Sequence, residues 1–159
     1  MADINKNVKS ICSFYASEWH LVTMLLPNID KKINTGVKIT TILEKDLTKE
    51  MKTLLKNLHI ENQDKILNIG WEKTETTEIK SKIKNNDYII VNGTKDFVKN
   101  VRNLIEKNVG EKEITLLECY DIEECKYELK EILDEHDMIL NTSGEKDKQE
   151  YITTIKIAN

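Results

Sequence analysis

Residues 14–20 read Phe-Tyr-Ala-Ser-Glu-Trp-His, a run that crowds aromatic, hydroxyl, acidic and imidazole groups into one short turn. Aromatic walls with a few polar groups are the usual make-up of a small-molecule site. Tyr15, Ser17, Glu18, Trp19 and His20 are therefore the first candidate ligand-binding residues. Tyr15 and Glu18 are expected to stand exposed in this turn, where substitution costs little stability. The turn contains no glycine, so it lacks the backbone cradle and the following lysine and hydroxyl of a phosphate-binding loop. Glu18 would also repel a triphosphate, which points to a neutral or cationic small molecule.

Other chemistry fails on spacing. Asn92-Gly93-Thr94-Lys95-Asp96 has one glycine and a lysine, but neither the second glycine nor the loop length that phosphates require. Tyr88–Val91 does not end in an aspartate that would hold magnesium. Cys125 and His136 share a helical face but lie three turns apart, roughly 16 Å, too far for one metal ion. Cys12 and His20 approach each other across a strand-helix turn without a third orienting group. Glu123 with Glu124, and Asp134 with Glu135, are consecutive and diverge on a helix. The chain is expected to have no catalytic residues, no metal site and no cofactor, and so not to be an enzyme.

These residues need a scaffold, and the hydrophobic pattern supplies one. Val8–Tyr15 reads as a strand, followed by a helix capped by Ser17 with the stripe Trp19, Val22, Leu25, Leu26, Ile29 and Ile33. Pro27 should kink or split that helix, and Gly36 closes it. Val37–Leu43 is a second strand; Asp46 caps a helix carrying Leu47, Met51, Leu54, Leu55 and Leu58. Lys65–Trp71 reads as a third strand, Thr76–Lys84 as a weak helix, and Tyr88–Val91 as a fourth strand. A helix with Phe97, Val98, Val101, Leu104, Ile105 and Val109 ends at Gly110. Ile114–Tyr120 is the fifth strand, and Asp121 opens a helix with Ile122, Cys125, Leu129, Ile132, Leu133 and His136 on one side. Met138–Asn141 is a sixth strand, Ser143–Lys148 a turn, and Tyr151–Ala158 an alternating edge strand.

Such alternation predicts one α/β domain over residues 1–159, with a mostly parallel sheet, helices on both faces and an antiparallel C-terminal edge hairpin. In an open parallel sheet, ligands bind beyond the carboxyl ends of the strands. That rule adds Trp71, Tyr120 and Asp121 to the candidate ligand-binding residues. With 24 Lys and Arg interleaved among 28 Asp and Glu, and a net charge of -4, nucleic acid is an unexpected partner. The 3 cysteines sit in apolar segments and suggest buried, reduced thiols rather than a disulfide framework. The N-terminal residues are polar, with no signal-peptide pattern, and no window reaches the ~20 apolar residues of a membrane span. The expectation is a soluble cytoplasmic protein.

Two stretches resemble the MEDS sensory domain, the methanogen/methylotroph DcmR sensory family. One is Ile11-Cys12-Ser13-Phe14-Tyr15-Ala16-Ser17-Glu18, a helix reaching Leu26-Pro27, and then Ile33-Asn34-Thr35-Gly36-Val37-Lys38. The other is Cys119-Tyr120-Asp121, Glu128-Leu129 through Ile132-Leu133 to His136, and Met138-Ile139-Leu140. Asp137 departs from the family's usual proline, and Trp71–Lys84 is shorter and more polar than usual. The resemblance implies a RecA/KaiC-like core without working nucleotide motifs, used to sense small molecules. A stand-alone sensor of this kind would signal through a protein partner or through self-association. The alternative is a protein-interaction module, an adaptor or regulator of a kinase or transcription system, with no small-molecule ligand.

Overall fold

The computed structural model of the chain describes residues 7–149. The β-branched and aromatic runs form strands β1 (Val8–Tyr15), β2 (Ile39–Leu43), β3 (Tyr88–Asn92), β4 (Ile114–Asp121), β5 (Met138–Asn141) and β6 (Gly144–Asp147). They make one sheet in the order β2-β3-β4-β1-β5-β6. All neighbours run parallel except β5 and β6, which are antiparallel. β1 lies at the centre and pairs with β4 along its whole length, Val8 opposite Ile114 and Tyr15 opposite Asp121. The α/β architecture with an antiparallel edge hairpin is thus the one the sequence pattern predicts.

Helix α1 (Glu18–Asn34) connects β1 to β2. It runs through Pro27 without splitting, because the residues around Pro27 are held by burial of Met24, Leu25, Leu26, Asn28 and Ile29. It ends in a Schellman turn: Gly36 adopts φ 80°, its N–H donates to the Ile33 carbonyl, and the Val37 N–H donates to Lys32. Helices α2 (Thr48–Asn57), α3 (Gln63–Ile69) and α4 (Ile79–Asn85, entered through a 3-10 turn at Thr76–Glu78) fill the connection from β2 to β3. Asp46 does not cap α2 from the N-cap position, which is Leu47; its carboxylate accepts the Thr48 N–H at 2.7 Å one step earlier.

Lys65–Trp71 corrects the expected third strand, since residues 63–69 form helix α3. Leu67, Ile69 and Trp71 alternate by two, but Ile66 is the fully buried side chain, and Asn62 pins the helix start to Asp30 and Asn34 of α1. The chain from Gly70 to Thr74 then lies along the outer edge of β2 without becoming a strand. Thr74 N–H donates to the Leu43 carbonyl at 2.9 Å, its hydroxyl accepts from Leu43 N–H, and Lys82 Nζ donates to the Thr41 carbonyl at 2.7 Å. That edge is therefore covered, as exposed sheet edges need to be.

Helix α5 (Lys95–Asn108) connects β3 to β4. The helix expected to run from Asp121 to His136 is two short pieces, α6 (Ile122–Cys125) and α7 (Leu129–Asp134). Lys126, Tyr127 and Glu128 offer no apolar group to hold a further turn on the sheet, and Tyr127 is 88% exposed. The hairpin arm is also corrected: β6 is Gly144–Asp147, inside the stretch expected to be a turn, while Tyr151–Ala158 lies outside the described residues. Thr142 and Ser143 form the connection, with Asn141 opposite Gly144.

Two apolar layers cover the sheet. Side chains alternate across a strand, so Tyr15 joins Leu21, Leu25, Ile29, Met51 and Trp71 on one face. Phe14 joins Val98, Val101, Ile105, Leu133 and Tyr120 on the other. No helix among the described residues is long and apolar enough to cross a membrane.

Candidate functional site

The carboxyl ends of β1 to β5 line up as the parallel topology requires, but the candidate residues there do not form one pocket. Tyr15 is buried rather than exposed, because it is the last inward-facing residue of β1. Its hydroxyl accepts from the Asn92 side-chain amide at 2.7 Å, and burial pushes it well above the ordinary tyrosine pKa. Trp71 is core as well, its indole N–H donating to the Ile66 carbonyl at 2.8 Å. Tyr120 is buried against the opposite face of the sheet. Asp121 caps α6 by accepting the Glu123 N–H.

Ser17 and His20 close the start of α1 on themselves. The Ser17 hydroxyl accepts the His20 N–H at 3.1 Å, while His20 Nδ1 accepts the Ala16 N–H at 2.9 Å. This satisfies donors that an unassisted helix start leaves open. Glu18 is half-buried and Trp19 is 41% exposed, so these two keep side chains available at the turn.

The amides at the start of α5 are also taken by the chain itself. Thr94 N–H donates to Glu44 Oε1 at 2.7 Å, Lys95 N–H to Glu124 Oε1 at 2.8 Å, and Lys95 Nζ to Glu128 at 2.8 and 2.9 Å. A Cβ at Gly93 would lie 2.5 Å from the Phe97 ring and 2.7 Å from Glu44, so only glycine fits the approach of these groups. Acidic side chains stand where a bound anion would need to be.

Two further polar assemblies were not singled out from the sequence. The first lies under α5 and α7. Glu118, fully buried in mid-β4, receives a bidentate pair from Arg102 Nε and Nη2, both at 2.7 Å. Tyr120 donates its hydroxyl to Glu118 at 3.1 Å and accepts from Arg102 at 3.0 Å. His136 Nε2 meets the same carboxylate, and its Nδ1 faces the Ile132 carbonyl. A carbonyl only accepts, so Nδ1 carries a proton and a further proton lies between Nε2 and Glu118. Burial opposes the Glu118 charge, but the hydrogen bonds of His136 and Arg102 outweigh it and hold the carboxyl below its ordinary pKa. The signal in the sequence is Glu118 itself, the one charged residue inside an apolar strand, which requires buried partners. The assembly ties α5, through Arg102, and α7, through the His136 contact with Ile132, to β4. Cys12, on the same face, has its thiol pushed up to about 12 by burial and by Glu118; Cys125 is pushed to about 11 by burial and the Glu124 charge. Neither thiol is activated as a nucleophile.

The second assembly borders a groove of about 360 Å³ between α1 and the β5–β6 hairpin. One wall is a single helical face, Met24, Pro27, Asn28, Lys31 and Lys32, spaced by three and four. The other is Met138, the Thr142–Gly144 turn, Glu145 and Lys146. Glu145 is held from two sides: Lys32 Nζ lies 3.2 Å from Oε1, and the Tyr88 hydroxyl donates to Oε2 at 2.8 Å. Asn28 in turn donates to the Tyr88 hydroxyl at 2.9 Å. Burial and the Glu145 charge raise Tyr88 well above the ordinary tyrosine pKa, so it stays a donor.

No family model and no curated protein matches this chain. Among solved structures it is similar to the flagellar accessory protein FlaH from Methanocaldococcus jannaschii, at 13% identity and a TM-score of 0.48, over 84% of this chain and 70% of that one. Function has to be argued from this chain's own residues.

Proposed function

We propose that the chain is a non-catalytic regulatory domain that senses a small molecule in the groove between α1 and the β5–β6 hairpin. It signals to a protein partner or to a second copy of itself. The observation that carries this reading is the groove: about 360 Å³, with methionine and proline surfaces beside a few converging polar groups. Small-molecule sites run from about 300 to 1,000 Å³ and have this mixed lining. The hairpin is also suited to relay a signal, because its register with β1 covers just Met138 and Ile139, supplemented by the Ser13 hydroxyl on the Leu140 carbonyl, while β4 is paired along all of β1. The reading places the chain beside the MEDS sensory domains, RecA-like cores without nucleotide motifs, which its opening and closing stretches resemble.

A thermal-shift screen tests it. A ligand at a hundred times its dissociation constant adds about 2.7 kcal/mol of stability. The expected result is a saturable rise in Tm with at least one metabolite. A library of anionic, neutral and cationic metabolites that never moves Tm would remove the sensing reading. The second reading, a protein-interaction module without a ligand, is favoured by β6, which ends the sheet with no strand beyond it among the described residues. Light scattering and pull-down on a protein with no thermal-shift hit decide for it; a strict monomer that retrieves nothing counts against it.

A further inference from the structure

We infer that the groove takes a small organic anion, which replaces the Glu145 carboxylate on Lys32 and Tyr88 and so releases the β5–β6 hairpin from α1. This rests on the reading of the groove as the sensing site and adds the class of ligand and the way its arrival is transmitted.

The groove already holds a carboxylate, and that carboxylate is the chain's own. Glu145 sits in a made-to-measure anion seat: an ammonium at 3.2 Å on one oxygen and a phenol hydroxyl at 2.8 Å on the other. The seat is built from the inside. Asn28 and Tyr88 are both buried, and Asn28 orients the phenol by donating to it, which leaves the Tyr88 proton free to point at the anion. Lys32 is further fixed by lying 5.6 Å over the Tyr88 ring. Burial of the Glu145 side chain is nearly complete, at 11% exposed, whereas Lys32 remains 28% exposed and approachable from the groove.

Charge selects the same class of guest. Lys31, Lys32 and Lys146 line the groove against the single carboxylate of Glu145, a local positive excess in a chain of net charge -4. Lys31 makes no ion pair among the described residues. An incoming cation would meet three ammonium groups, while an anion meets Lys31 at once and then competes for Lys32. Met24, Pro27 and Met138 give an apolar body something to rest on. At ~30 Å³ per water, the groove has room for about a dozen waters, which suits a short-chain carboxylate or a small phosphate ester.

The exchange has a structural consequence because Glu145 belongs to β6. Its two side-chain contacts tie the hairpin to α1 and to the start of β3 across the sheet. Once a guest anion takes them, β5 stays seated on β1 and in the core through Ile139 and Leu140, while β6 loses its side-chain tie to α1 and keeps its ladder with β5. A guest that binds only the released arrangement shifts the population toward it.

The test titrates the 15N-labelled protein with succinate, with inorganic phosphate and with butylammonium, at constant ionic strength, and reads amide shifts, dissociation constants and hydrogen exchange. The expected result is saturable movement of the amides of residues 28–32 and 143–146 with succinate or phosphate, the stronger of the two naming the anion. Exchange in the hairpin should speed up on binding. Glu145→Gln should bind the anion about fivefold more tightly, since it removes the internal competitor, and Lys32→Gln about tenfold more weakly. A gain in affinity cannot come from misfolding, so Glu145→Gln keeps the test decisive. Equal or weaker binding by Glu145→Gln, or shifts scattered over many lysines, overturns the inference. Butylammonium binding in the groove in preference to the anions also overturns it while leaving the sensing reading intact; a groove that responds to none of the probes, beside a library without hits, ends both.

Discussion

The two faces of the sheet treat charge in opposite ways. On the α5 and α7 face, Glu118, Arg102, Tyr120 and His136 close on one another, with Glu118 fully buried and every oxygen of its carboxylate occupied. On the α1 face, Glu145, Lys32, Tyr88 and Asn28 make a similar chain of contacts, but it ends at an open groove. A carboxylate buried this deeply stays with Arg102, whose one further contact is Glu135 at 3.6 Å on the solvent side, so it fixes which helix sits where. The same groups at an opening can trade partners with a solute. The difference teaches where to look for function in this chain: at the charge that is anchored from behind and approachable from the front.

Breaking the sealed assembly should have the largest effect. Glu118→Gln removes the buried carboxylate from Arg102 and leaves it only Glu135, 3.6 Å away on the solvent side, and urea denaturation should show a loss of about 3 kcal/mol. Replacing Glu118, Arg102 and His136 together by apolar residues of similar volume should cost much less, since no buried charge is left unpaired. The same carboxylate sets an acid limit. Its pKa is lowered by folding, so its contribution is present above the unfolded value, about 4.3, and is lost as pH falls from there through the folded value. Denaturation midpoints should fall below that pH in the parent, and the Glu118→Gln profile should be flatter across the same window.

Tyr15→Phe comes next. It keeps the ring in the core but leaves the buried Asn92 amide with a longer contact to the Cys119 carbonyl, for a loss of about 1–2 kcal/mol. Ser17→Ala should cost about 1 kcal/mol through the lost helix cap, and should leave ligand-induced Tm shifts unchanged. If Ser17→Ala abolishes those shifts at unaltered stability, the turn is a binding site after all and the comparison of the two faces loses its force.

Much of the fold was legible because it is local. β1, β4, α1 and α5 each carry an uninterrupted apolar period, and Ser17, Thr94 and Gly36 mark helix ends by their own side chains or lack of one. The misreadings have physical causes. Leu67, Ile69 and Trp71 alternate like a strand, yet the helix-wise position of Ile66 wins the burial. Gly144–Asp147 has no apolar residue, so its strand character comes wholly from pairing with β5. Tyr15 looked like a turn residue because Ala16 and Ser17 follow it, but both sheet faces are covered and its side chain has only the core to enter. Glu118 finds partners 16 and 18 residues away, one on α5 and one in the loop after α7, a distance that no local period reveals. Neither groove wall stood out in the sequence: Met24, Pro27, Asn28, Lys31 and Lys32 lie beside the apolar stripe of α1, and β6 has no apolar period.

Ligands are expected to enter between α1 and the hairpin and not at the Tyr15–His20 turn. The most direct measurement is the Tm shift given by the hits of the metabolite screen on two single variants, Lys32→Gln in the groove and Glu18→Gln at the turn. Glu18 is partly exposed, so Glu18→Gln should move stability by about 0.5 kcal/mol at most, whereas Lys32→Gln leaves the mostly buried Glu145 with Tyr88 alone and should cost about 1–3 kcal/mol, so each shift is read from the variant's own unliganded Tm. The account predicts that Lys32→Gln removes the shift and Glu18→Gln preserves it. A shift that survives Lys32→Gln and vanishes with Glu18→Gln would contradict it.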